Sequence, residues 1–204
     1  MLKTLQLFAT AAALLIPALA QALVFSGTFT RDDEIRLFSF TTNGTAPVTI
    51  ETYSYAGGVD TAGHVIPRGG FDPVFGLFTA AGALVAVGDD GATRIDPVTG
   101  AAFDALLTQT LAAGSYFVAL GQFDNFPLGP NFSNGFLETG NPTFTAAFGC
   151  SQGRFCDING FNRTGFFDLS ITGSLVVPEP GSLALLGLAV PGLLLARRKS
   201  RHAA

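Results

Sequence analysis

The strongest constraint on this chain is how often its apolar residues are interrupted. Through the middle of the sequence Gly, Pro, Asn and Asp cut the hydrophobic stretches into short pieces, which is the punctuation of strands and turns. No 3.6-residue period runs between the two ends, so a helix bundle is excluded there. Residues 48–55 set Val48, Ile50, Thr52 and Ser54 against Thr49, Glu51, Tyr53 and Tyr55, the two-residue period of a half-buried strand. Further strands are expected over residues 23–30, 34–42, 74–79, 83–87, 105–111, 115–121 and 166–172. Ala80-Ala81-Gly82 and Ala112-Ala113-Gly114 each predict a hairpin. Many short strands with regular turns imply an all-β, antiparallel β-sandwich, jelly-roll-like in its wiring.

Composition adds that some of the apolar content lies outside this core. The chain is 48% hydrophobic and only 13% charged, against about 25% charged in an ordinary soluble domain. The excess collects at the two ends. Residues 1–22 read as a signal peptide: Lys3, an uncharged apolar run over 5–19, then small residues at Ala18, Ala20 and Ala22. A signal helix with cleavage after Ala22 is expected.

At the other end three features follow in order: Pro178-Glu179-Pro180, an uncharged run over 182–196, and the basic residues Arg197, Arg198, Lys199 and Arg201. As a helix the run reaches about 22 Å, short of a hydrocarbon core of about 30 Å, and Pro191-Gly192 weakens it further. The basic end is what holds a C-terminus on the cytoplasmic side. A short transmembrane helix of this kind suits a temporary stop better than a permanent anchor. This tail resembles the bacterial PEP-CTERM sorting signal. The resemblance implies export, cleavage near Pro178-Glu179-Pro180 by an exosortase-type membrane transpeptidase, and a Gram-negative producer of exopolysaccharide. The expected organisation is a signal peptide over 1–22, a sandwich over 23–177 and a sorting signal over 178–204.

Between the ends, fourteen Asp and Glu face six Arg and no Lys, a net charge of −8. Such a surface repels nucleic acid and anionic membrane and suits divalent cations or neutral glycans. Cys150 and Cys156 lie close together in a Gly/Asn-rich segment. In an oxidising compartment they are expected to form a disulfide. Residues 123–161 form a Phe/Gly/Asn-rich insert, whose phenylalanines either fill a core or sandwich end or make an exposed aromatic surface.

The segment from Gly70-Phe71-Asp72-Pro73 through Gly88-Asp89-Asp90-Gly91 to Gly114-Ser115-Tyr116 resembles the DVUA0089 family and, more distantly, bacterial pre-peptidase C-terminal domains. Those are small β-sandwich modules, and the resemblance brings no catalytic residues with it. The lone His64 of the body, with no Gly-x-Ser-x-Gly elbow, makes a Ser-His-Asp hydrolase a poor expectation. Zinc ligands are too few. Asp72, Asp89, Asp90 and Asp104 are the best metal ligands on offer, and oxygen-rich loops suit calcium; the same Asp residues also make turns by bonding their own backbone. The leading expectation is a non-enzymatic surface or extracellular-matrix protein associated with exopolysaccharide and biofilm. A calcium-assisted module binding glycan or other surface proteins is the alternative, and an exported hydrolase the third.

Overall fold

The computed structural model describes residues 21–176. The expected signal helix, the transmembrane helix, Pro178-Glu179-Pro180 and the basic cluster of Arg197, Arg198, Lys199 and Arg201 lie outside the described residues. Eight long strands carry the fold: β1 (Gln21–Thr28), β2 (Arg36–Thr42), β3 (Ala46–Thr52), β6 (Pro73–Thr79), β7 (Leu84–Asp89), β8 (Leu106–Leu111), β9 (Gly114–Gln122) and β10 (Phe166–Gly173). A small ribbon, β4 (Gly58–Val59) with β5 (Val65–Ile66), is set within the loop between β3 and β6.

The long strands form two four-stranded sheets, ordered β1-β10-β3-β8 and β2-β9-β6-β7. Every neighbouring pair is antiparallel. This interleaved order is the double Greek-key wiring of a jelly roll, and it supports the expected fold class. The second expected hairpin does not exist. β8 pairs only with β3, and β9 pairs with β2 and β6, so residues 112–113 cross from one sheet to the other. Leu111 of β8 and Val118 of β9 therefore enter the core cluster from opposite sheets.

The main core follows the two-residue period of its strands. Val48 and Ile50 of β3, Leu77 of β6, Val118 and Leu120 of β9, and Leu169 and Ile171 of β10 are all essentially inaccessible. β6 departs from this alternation and is buried on both faces. Its outer face carries Phe78, which with Ala119 and Phe136 nucleates a second cluster joined by Ile35, Leu84, Phe117 and Phe132. The Phe78 and Phe117 rings stack 5.2 Å apart, and Phe132 meets Phe117 edge-on at 5.2 Å.

The insert therefore covers the outer face of one sheet with a second core and also sends Phe155 into the main one, in line with the expectation that its phenylalanines fill a core. Of its eight phenylalanines only Phe161 is exposed, at 40%, so no aromatic platform forms. Gly76 permits the cover: a Cβ there would stand 2.5 Å from the Phe78 ring and 3.0 Å from Pro127. Within the insert, Phe144–Phe148 form a 3₁₀ helix.

The two ends of the sandwich differ. β1 starts and β10 finishes at one end, where the connections over 43–45, 80–83 and 112–113 are short. The loops over 29–35, 53–72, 90–105 and 123–165 all leave from the opposite end, though the last also runs back along the outer face. β1 begins at Gln21, two residues earlier than expected. A cut after Ala22 would remove from the ladder Gln21, opposite Gly173, and Ala22, opposite Thr172.

Candidate functional site

The long-loop end is held by buried charge. Asp96 is fully buried and takes two bonds from Arg68 (2.7 and 2.8 Å) and one from Arg163 Nη1 (2.7 Å). Burial alone would raise the Asp96 carboxyl, but the bonds from Arg68, the Val98 backbone and Arg163 outweigh it and hold it well below the usual range. Arg163, 3% exposed, also donates to the carbonyls of Gly70 and Tyr55 and lies 3.6 Å from the centre of the Tyr55 ring. The Tyr55 hydroxyl donates to Asp157 Oδ2 at 2.6 Å. Burial and that acceptor raise the Tyr55 phenol far above its ordinary value.

Asp32 and Asp104 do the same work for the backbone. Asp32 accepts from the Phe155 amide (2.9 Å) and the Thr145 amide (3.1 Å), tying the insert to the β1–β2 loop. The Cys150–Cys156 disulfide, with its Cα atoms 5.4 Å apart, closes the loop beside Phe155, as the sequence leads one to expect. Asp104 accepts from the amides of Tyr55 and Ala56 (3.0 and 2.9 Å) and the hydroxyl of Thr52 (3.0 Å).

Three of the four candidate metal ligands come together. Asp72 immediately precedes β6, Asp89 ends β7, and Asp90 follows it with φ +49, a conformation Asp tolerates better than most residues. One carboxylate oxygen from each lies within 4.8 Å of the others. Asp104 is outside this group, since its oxygens are committed to the loop backbone. Asp72 is 3% exposed, and its buried Oδ1 has no hydrogen-bond partner. Burial, then the charges of Asp90 and Asp89, raise its carboxyl well above the usual range. Asp89 is pushed up to about 6 by burial, Asp90 and Asp124.

The site nearest to a catalytic arrangement is slight. His64 Nδ1 lies 2.7 Å from Asp60 Oδ2, with the His64 side chain 68% exposed. Asp60 also accepts from the amides of Ala62 and His64, so this pair closes the turn between β4 and β5. An open cavity of about 470 Å³ is lined by Thr30, Gln152, Arg154 and Arg163 among others. Its floor is the loop that the disulfide closes.

At the far end the last described contacts are the Thr42–Leu175 bridge and a bond from the Val176 amide to the Thr41 carbonyl (2.7 Å). The chain carries a PEP-CTERM protein-sorting motif over residues 176–199. The motif thus begins on the residue that makes the sandwich's last backbone bond. It indicates an exported protein with a transient membrane anchor, handled by exosortase-type enzymes. The match spans the tail and not the sandwich. No curated protein matches the chain.

Sequence reasoning missed the Arg163–Asp96–Arg68 network. Its members are 67 and 28 residues apart, and no local pattern joins them. The one available signal was that the body has only six cations, so a buried Arg had to be structural.

Proposed function

We propose that this protein is a non-enzymatic display protein, exported, cut near Pro178-Glu179-Pro180 and retained at the cell surface or in an exopolysaccharide matrix of a Gram-negative bacterium. The sorting motif over 176–199 carries the reading. The polarity of the fold supports it. Both ends of the described chain, at Gln21 and Val176, lie at the short-turn end, opposite the long loops, an arrangement suited to displaying those loops. The jelly-roll body is compatible with kinship to the pre-peptidase C-terminal modules, and its acidic, Lys-free surface suits a neutral glycan environment.

The decisive experiment removes residues 182–204 and follows the product by cell fractionation and mass spectrometry. The intact protein is expected in the envelope or matrix, with its C-terminus trimmed near Pro178. The truncated protein is expected free in the medium and untrimmed. An identical distribution of the two would refute the reading.

A further inference from the structure

We propose that Asp72, Asp89 and Asp90 bind a hard divalent cation, calcium by its tolerance of irregular carboxylate shells, at the loop end of the sandwich. Their oxygens lie within 4.8 Å of one another. Three carboxylate oxygens this close can share one ion. Magnesium demands near-ideal octahedral geometry and keeps most of its waters, whereas calcium accepts several protein carboxylates in an irregular shell. Two strands of one sheet hold the ligands: Val74 pairs with Asp89, and Asp72 lies two residues before Val74. Water and backbone carbonyls would complete the shell, as calcium sites commonly allow.

Asp72 is what separates this site from an ordinary acidic cluster. Asp32, Asp60, Asp96, Asp104 and Asp157 are all buried, and each collects N–H or O–H donors. Asp72 is equally buried, yet its Oδ1 has none. An unpaired carboxylate in that position is strongly unfavourable unless a cation or proton meets it. Asp168 Oδ1 is also unpartnered, but among the described residues only Asp72, Asp89 and Asp90 form a group of three potential ligands. The site needs neither the tail nor its processing, so it stands or falls independently of the display reading.

Full-length protein in detergent, stripped with EDTA, is titrated with CaCl₂ or MgCl₂ by calorimetry and melted with and without each salt. Calcium is expected to bind with measurable heat and to raise the melting temperature, magnesium to do so less. Asp72→Asn in metal-free buffer is expected to melt at or above the wild type, because it removes a buried charge, while losing the calcium-induced rise. Asp89→Asn should weaken calcium binding by about tenfold or more, by analogy with loss of one charged ligand. Asp104→Asn should keep a calcium-induced rise. No heat and no rise in the wild type at millimolar calcium would overturn the proposal, as would a full rise in Asp72→Asn. An equal response to magnesium would overturn the assignment to calcium.

Discussion

At the end of the sandwich where β1 begins and β10 finishes, strands turn back through residues 43–45, with Asn43 and Thr45 exposed, and 80–83, which bonds to the insert through Gly82 and Phe132. Gly44 has nothing within 4 Å of where a Cβ would stand. At the opposite end the loops are long, and Asp32, Asp96, Asp104, Asp157 and Arg163 are buried among them. The short-turn end is held by strand pairing and a few side-chain bonds, among them Thr42 Oγ1 to the Ala112 carbonyl and Ser174 Oγ to Asn43 Oδ1. The loop end has too little regular structure to satisfy its own backbone, so buried carboxylates and one arginine supply the partners. Half of the body's fourteen acids are buried, and Asp32, Asp60, Asp96, Asp104 and Asp157 serve as internal scaffolding. Asp72 and Asp168 each leave an oxygen unpartnered, and of the two only Asp72 has two further carboxylates beside it.

Substitutions should separate the two ends clearly. Arg163→Ala leaves Asp96 with one cation, orphans the Gly70 carbonyl and takes one of two donors from the Tyr55 carbonyl, and it is expected to cost about 3–5 kcal/mol in chemical denaturation. A smaller loss would mean the loop end can reorganise around water. Replacing Cys150 and Cys156 together by Ser should cost about 2.4 kcal/mol on the chain-entropy account, visible as a lower denaturation midpoint that reductant no longer changes. Asp104→Ala removes the acceptor of two amides and a hydroxyl and should cost about 2 kcal/mol; a neutral result would show that the β3–β4 loop does not depend on it.

Acidity gives a fourth measurement. Burial and the nearby Asp60 push Asp168 up to about 6, and His64 offsets part of this. A carboxyl raised in the folded state binds its proton more tightly there than in the unfolded chain. Its contribution is therefore full below about pH 4 and is lost as pH rises through about 6. Melting temperatures followed across that interval should fall less steeply in Asp168→Asn than in the wild type. The smallest effect is expected at the bare end, where Gly44→Ala should change stability by no more than about 0.5 kcal/mol. A larger loss there would blur the contrast between the ends.

Much of the fold could be read in advance because alternation is local. Val48, Ile50, Leu169 and Ile171 announce an inward face within a few residues of sequence. The hairpin at Ala80-Ala81-Gly82 is real because Val74 to Phe78 pair back onto β7. At Ala112-Ala113-Gly114 the same turn chemistry misleads. A short Gly-containing link permits a hairpin or a crossing between sheets, and only the competition for partners β3 and β2 decides. Asp89 and Asp90 could be grouped from their Gly-flanked turn, whereas Asp72 and Asp104 were joined to them only by the family resemblance and stood equal until the Asp104 oxygens were seen to be occupied.

By itself the amino-acid order determined that the body is built from short strands, that Cys150 and Cys156 lie within reach of each other, and that the tail is a sorting signal. Each of these depends on neighbours along the chain. Tertiary structure alone decided which sheet each strand joins, that the phenylalanine insert covers the outer face of β6 and β9, and which acids are scaffold. Those outcomes depend on residues far apart in sequence competing for the same buried surface and the same hydrogen-bond donors, and no local pattern records who wins.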